Sequence, residues 1–421
     1  MTNLPPTHQD VLCLLSQALH ATRLPESTSR ALNNHPDWPA ILREAAQQAV
    51  LPLVLEAALT LPPDQQPPGG VLAIYRDQAI RQVINNERLM AAQDKLLAAF
   101  EKAKIPCLIL KGSSAACRYP RPELRVLGDI DLLVGRESVA AASGVLESLG
   151  YRKEKEYEPL HIGFNGSQAF VELHFEATEY PDTSIGEQLR AFMADALRHR
   201  QTLHMHQYIF PALDPVRQAV SLVTHIQRHM RYQGIGLRHL CDFAVFVHHV
   251  GSQTWQADIS GALARCGMLR FAEALAKTCV VHLGLPQSSA PWCAHIDRRL
   301  ADDLVLEFLA SGNFGIKQPD HRLTTFLSVD RHSRGKPASM PRTILSNLNR
   351  YARNNFPATR KAPVLLPMFW IILPAHYALK NALNKKAVSL TGSFSHARRR
   401  KKLFDQLRIY QPDKRANADL T

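Results

Sequence analysis

The sequence has little that could staple it covalently. Its seven cysteines, Cys13, Cys107, Cys117, Cys241, Cys266, Cys279 and Cys293, are odd in number, scattered, and include no Cys-x-x-Cys pair. That excludes a disulfide framework and a zinc ribbon. Most lie in apolar runs, so they are expected as buried free thiols in a reducing, cytoplasmic compartment. The opening, Met-Thr-Asn-Leu-Pro-Pro-Thr-His-Gln-Asp, has no basic stretch leading into an apolar core, so no secretory leader is expected. No internal repeat is visible. Acidic residues are scarce at one end. Residues 331–421 carry 19 Lys and Arg against 3 acids, net +16, whereas residues 1–330 carry 31 basic and 34 acidic groups, net −3. The overall charge of +13 therefore belongs to the C-terminal region. It gives no reason to assign nucleic-acid binding to the rest. An uncharged, mostly apolar run, 362–379, holds 18 residues and contains Pro367 and Pro374. A spanning helix needs roughly 20. With the basic run Arg398–Lys402 beyond it, this segment is expected either to pack on the protein or to make peripheral contact with an anionic membrane surface.

What is present suffices for two or three domains, with 421 residues and an apolar fraction of 46%. The expected fold class is α+β, a small mixed sheet flanked by helical regions. Boundaries are expected at 1–102 (helical), 103–180 (α+β core), 181–313 (helical) and 314–421 (basic tail region). Asp37-Trp38-Pro39 reads as a helix start and Pro52 as an interruption. The prolines and glycines of 62–70 form a break. A long helix is predicted over 73–102, with Ile80, Ile84, Leu89, Leu96, Leu97 and Phe100 on its apolar side. Strands follow at 105–110, 129–134, 151–155, 161–165 and 169–176, with a helix over 137–149. From Ile185 to about Ser311 the chain reads as helical, Asp214 capping one helix.

The chemistry concentrates between Cys107 and Val134. Asp129 and Asp131 stand two apart on a strand, so their side chains share a face, while Ile130 and Leu132 turn to the other. Two like charges this close raise each other's pKa. A hard divalent cation, Mg²⁺ or Mn²⁺, removes that penalty. Glu172, on a later strand with His174 on the same face, is the best third carboxylate for a two-metal site. The glycine turn Gly112-Ser113 is suited to expose backbone N–H groups to a triphosphate, with the Ser113 hydroxyl adding a hydrogen bond. Lys111 and Arg125 flank it as possible phosphate partners. His174 is expected to orient Glu172, touch substrate, or simply pack. His225 and His229 have ligand spacing on a helix, but no third ligand is evident in the sequence, so packing is favoured. Arg238 and Asp242, four apart, read as an intrahelical pair before a substrate clamp.

Taken together, Leu-Lys-Gly-Ser, Arg-x-x-Gly-Asp-Ile-Asp-Leu-Leu-Val and Val-Glu-Leu-His-Phe resemble the polymerase-β-like nucleotidyltransferase superfamily. More closely they resemble an uncharacterised bacterial nucleotidyltransferase family within it. The likeness spans about residues 36–250. It implies that Gly112-Ser113, Asp129, Asp131 and Glu172 match the superfamily's glycine-serine turn and three acids. It implies transfer of an NMP from an NTP to an acceptor with release of pyrophosphate. Two departures stand out. The interval from Ser113 to Asp129 is long for the superfamily, and Phe175 stands where Trp is common. A small-molecule acceptor is expected over nucleic acid, since residues 1–330 are slightly acidic. Other readings are a catalytically inactive nucleotide-binding partner in a biosynthetic cluster, or a toxin-type enzyme acting on tRNA or protein.

Overall fold

The computed structural model describes residues 4–20, 32–33, 35–155, 160–181, 183–318, 321–329, 339–383 and 390–411. Its first helices are α1 (Pro6–His20), α2 (Trp38–Gln47), α3 (Leu51–Leu59) and the long α4 (Gly69–Lys102). The α+β unit follows: β1 (Cys107–Ile109), α5 (Ser113–Ala116), β2 (Ile130–Val134), α6 (Val139–Ser148), β3 (Arg152–Lys153), β4 (His161–Asn165) and β5 (Phe170–His174). Then come α7 (Ser184–Met193), β6 (Arg200–Met205), β7 (Tyr208–Leu213), α8 (Pro215–Tyr232) and α9 (Leu237–Thr254). The remaining helices are α10 (Ser260–Arg265), α11 (Leu269–His282), α12 (Arg298–Ser311), α13 (His321–Ser328), α14 (Met340–Asn355), α15 (Ala358–Lys361), α16 (Leu366–Leu383) and α17 (Leu390–Leu407).

The fold is α+β, with one mixed sheet in the order β3-β4-β5-β2-β1-β7-β6. β2 runs antiparallel to β1 and parallel to β5. Alternation along the strands divides the interior. Cys107, Ile109, Ile130, Leu132, Val171 and Leu173 pack under the sheet with Leu89, Leu96 and Phe100 of α4 and Leu146 of α6. Leu108, Leu110 and Leu133 face the other way, into a core built from α1 to α3 and α8 to α12. Asp131 is two residues before Leu133, so it points toward the helical side.

Several expectations shift. The hairpin of β6 and β7 falls where only helix was expected, and β7 extends the sheet by pairing parallel with β1 at Ile109↔Ala212. Its sequence, Arg-Gln-Thr-Leu-His-Met and Tyr-Ile-Phe-Pro-Ala-Leu, alternates weakly because its outer strand is half exposed. Two strands of the sheet thus lie beyond the boundary expected at residue 180. The long helix starts four residues earlier than read, and Ile80 and Ile84 are exposed. Apart from Ala79, the buried positions of α4 begin at Asn86, where it reaches the sheet. The caps hold as read: Asp37 Oδ1 accepts from Ala40 N at 3.1 Å, and Asp214 Oδ1 from Val216 N and Arg217 N at 2.9 and 3.1 Å.

The basic run is not wholly solvated. Arg400, in α17, is 1% exposed. Its Nε donates to Glu307 Oε1 at 2.7 Å, and Nη2 donates to the Met230 carbonyl, fastening α17 to α12 and α8. Residues 366–383 form α16, with Leu366 and Phe369 buried against Ala352 and Ile371 exposed. Among the described residues no helix is long and apolar enough to cross a membrane. Lys385, Lys386 and the last ten residues of the basic tail lie outside the described residues. None of the seven cysteines is in a disulfide, and all but Cys117 are buried.

Candidate active site

Parallel pairing of β2 with β5 makes Asp131 and Glu172 partners in register. Asp129 precedes β2 on the same side of the chain and is exposed. One carboxylate oxygen from each of Asp129, Asp131 and Glu172 lies within 4.8 Å of the others. The three open onto a cleft of about 1150 Å³, part of it open to solvent, between the sheet and α8, α9 and Phe314.

Asp131 is buried and doubly held. Lys111 Nζ lies 2.7 Å from its Oδ1, and His174 Nε2 lies 3.0 Å from the same oxygen. The same ring nitrogen is 3.1 Å from Glu172 Oε2, and His161 Nε2 is 3.4 Å from Glu172 Oε1. Burial would raise the Asp131 carboxyl, but Lys111 and His174 hold it well below the usual carboxylate range. The consequence falls on Asp129, which the Asp131 charge pushes up to about 6. Burial opposes the charge on His174, yet its bonds to the two carboxylates raise its pKa. His174 is buried and does not line the cleft, so it positions both carboxylates from behind.

β1 delivers the other side of the cleft mouth. The Leu110 N–H donates to the Asp131 carbonyl at 3.0 Å, extending the ladder to Lys111. The chain then turns at Gly112, whose φ of 69° is left-handed and favours glycine. Lys111, Gly112 and Ser114 line the cleft, but Ser113 does not. The Ser113 hydroxyl is buried and donates to Gln93 Oε1 of α4 at 2.7 Å. The hydroxyl expected to reach phosphate is engaged elsewhere here: the first turn of α5 directs that oxygen down onto α4.

Arg125 is redirected as well. Its Nε and Nη2 donate to Asp242 Oδ1 and Oδ2 at 3.1 and 2.7 Å, and the Tyr119 hydroxyl donates to the same Oδ1 at 2.7 Å. Burial works against the Arg125 charge, but Asp242 outweighs it and raises the guanidinium pKa. The intrahelical pair of Arg238 with Asp242 is therefore not formed. Arg238 Nη1 donates instead to the Val126 carbonyl at 3.2 Å. Arg238, Arg125 and Asp242 all line the cleft. Burial, with Arg125 nearby, lowers the Arg238 guanidinium to about 10.

The opposite wall is imidazole. His225 and His229 of α8 meet His239 of α9, with ring centroids 4.3, 5.5 and 5.1 Å apart. One ring nitrogen from each lies within 4.8 Å of the other two. Burial, then the Lys111 charge, lowers His229 to about 3 and His225 well below its ordinary value. Burial and Arg238 do the same to His239. Phe314 covers this wall, its ring centroid 5.4 Å from that of His229. The turn carrying it presses on Gly234, where an added Cβ would meet Gly315 Cα at 2.4 Å and φ is +87°.

A family model described as an uncharacterised nucleotidyltransferase matches residues 34–284, more than half of the chain. The chain belongs to this nucleotidyltransferase family. It is therefore a transferase that acts on a nucleotide. No curated protein and no solved structure shows significant similarity to it. The matched part of the nucleotidyltransferase contains every cleft residue discussed above except Phe314. Several cleft residues escaped sequence reasoning: Arg118, Gln218, Arg228, His239 and Phe314. Arg118 Nη2 donates to Gln218 Oε1 at 2.6 Å, and its guanidinium lies over Phe246 at 5.3 Å. A signal for His239 existed, since it stands fourteen residues beyond His225 and ten beyond His229. What it needed was the angle between α8 and α9, which no spacing reports.

Proposed function

We propose that this nucleotidyltransferase moves a nucleoside monophosphate from an NTP to a hydroxyl of a small molecule, releasing pyrophosphate, with Mg²⁺ or Mn²⁺ held by Asp129, Asp131 and Glu172. The observation that carries this reading is the convergence of the three carboxylates on one cleft beside a glycine turn. The donor set fits the ion. It is all oxygen, which a hard cation takes, and it concentrates negative charge enough to push Asp129 up to about 6. When bound, such ions would polarise the phosphoryl oxygens and offset the charge of the leaving pyrophosphate.

The chain's own groups have distinct tasks. Lys111 puts an ammonium at the cleft mouth, on Asp131, where it can counter phosphate charge. The Gly112 turn brings backbone close to the same place. Glu172, flanked by His161 and His174, is the carboxylate that would accept the acceptor's proton. His174 fixes the separation of Asp131 and Glu172 through one shared N–H. Arg118 and Arg238 also line the cleft and add positive charge suited to an anionic part of either substrate. The intact acid set speaks against a catalytically inactive partner protein. The acidic balance of residues 1–330 speaks against a long RNA acceptor.

The test uses NTPs labelled at the α- or the γ-phosphate, incubated with Mg²⁺, the protein and a size-fractionated lysate. Stable label from the α-position only, in the small-molecule fraction, is the expected result. Label from the γ-position only would replace nucleotidyl transfer by a kinase-type reaction. Label in RNA or protein would overturn the acceptor class.

A further inference from the structure

We infer that His225, His229 and His239 form a second metal site, for a zinc-class divalent cation, whose open coordination position faces the transfer cleft. The inference goes beyond the carboxylate chemistry and uses none of its residues. Three imidazoles from two helices place one nitrogen each within 4.8 Å of one another. Tetrahedral zinc with nitrogen ligands at about 2.0–2.1 Å requires nitrogens roughly 3.3 Å apart, a contraction that ring rotations can supply. Three protein ligands with one position open is the arrangement of catalytic zinc.

A second, independent observation points the same way. His229 and His239 are 5% and 2% exposed, yet Nδ1 of His229 and both ring nitrogens of His239 lack a well-formed hydrogen bond. Buried polar atoms are ordinarily satisfied, and leaving them unpaired is costly. One cation would take a lone pair from each ring. It would also explain the Gly236 carbonyl beside His239, because a ligating histidine commonly gives its other N–H to a backbone carbonyl. The rings are held neutral by burial, the state a metal ligand requires.

The surrounding charges permit a cation. Lys111 is balanced by Asp131, Arg125 by Asp242, and Arg228 Nε faces Glu179 Oε2 at 3.5 Å. Arg238 remains as a like-charged neighbour, since its partner is the neutral Val126 carbonyl. That neighbour favours an anionic fourth ligand, such as a carboxylate or phosphate oxygen of the acceptor. The three rings and the three carboxylates line the same cleft, so an acceptor held on the imidazole wall is presented to the acidic one.

The experiment strips the full chain with a chelator and titrates it with Zn²⁺ against a competing indicator, then with Co²⁺. The expected result is one equivalent of Zn²⁺, a Co²⁺ visible spectrum of a four- or five-coordinate site, and three imidazole nitrogens by zinc X-ray absorption at ~2.0–2.1 Å. Those readings come from the unmodified protein. His229→Asn and His239→Asn should each weaken Zn²⁺ by more than ~100-fold, beyond the range for an outer partner. Glu172→Gln should change it by less than ~10-fold. Absence of stoichiometric Zn²⁺ binding overturns the inference. So does binding that survives His229→Asn but is lost in Glu172→Gln, because the ion would then sit on His161, Glu172 and His174, which also converge within 4.8 Å. Neither failure touches the α-phosphate labelling result.

Discussion

The two walls of the cleft are built from opposite materials. The sheet wall carries three carboxylates whose charges are partly balanced by Lys111 and His174. The helical wall carries three neutral imidazoles, two of them with unpartnered nitrogens. The sheet wall is rigid because strand pairing sets its spacing: Asp131 and Glu172 are register partners. The helical wall depends on how α8 and α9 cross and on the turn that lays Phe314 over them. The pair Arg125–Asp242 joins the two, since Arg125 lies just before the acids and Asp242 lies on α9. The contrast teaches that one site is held by short-range strand geometry on one side and by long-range packing on the other.

The largest effect should come from the acidic wall. Asp131→Asn is expected to lower α-phosphate transfer by ~10³-fold or more, and also to lower the thermal midpoint because Lys111 and His174 lose their buried carboxylate. Retained turnover would remove the acidic wall from the chemistry. Next, Asp242→Ala breaks the joint and leaves the Arg125 charge buried, with an expected loss of about 3–5 kcal/mol in denaturant unfolding. The double change Arg125→Met with Asp242→Leu should recover much of that loss; if it does not, the joint does more than neutralise charge.

A smaller effect is expected behind the acids. His174→Asn should weaken Mg²⁺ by ~10–100-fold, read as a shift in the Mg²⁺ dependence of transfer, with saturating Mg²⁺ restoring part of the rate. A variant whose Mg²⁺ dependence is unmoved would make His174 a packing residue only. Ser113→Ala removes the bond to Gln93 and should cost ~1 kcal/mol of stability without raising KM for the NTP. A rise in KM with unchanged stability would return the hydroxyl to the phosphate.

The smallest effect concerns the cover of the imidazole wall. Lys317 Nζ lies 2.8 Å from both Glu44 oxygens, tying the Phe314 turn to α2. Burial would raise Glu44, but His8, Lys317 and Gln48 lower it from 4.5 to about 2. A depressed carboxyl stabilises the fold above its unfolded value, and that contribution is lost as pH falls from about 4.5 toward about 2. Unfolding midpoints measured down this range should drop less in Glu44→Gln than in the parent. Equal slopes would mean the tie carries no weight.

The sheet was legible because its signals are local. Period-two alternation around Asp129–Val134 and Phe170–His174 assigns faces without knowledge of any partner. The glycine of Lys-Gly-Ser announces a turn for the same reason. The hairpin at 200–213 was read as helix because its edge strand is half exposed and its alternation is faint. Ser113 and Arg125 were placed in the right neighbourhood but expected on phosphate, whereas their side chains bond Gln93 and Asp242. Those partners stand 20 and 117 residues away.

By itself, then, the sequence determined the α+β class, the three acids and the glycine turn, because strand pitch and backbone torsion are properties of a few consecutive residues. The tertiary structure alone decided that His239 completes a triad with His225 and His229, that Arg125 pairs with Asp242, and that Arg400 is buried on Glu307. The physical reason is range: these contacts arise from how helices pack onto a sheet, and an interhelical angle leaves no mark in the spacing along either chain segment.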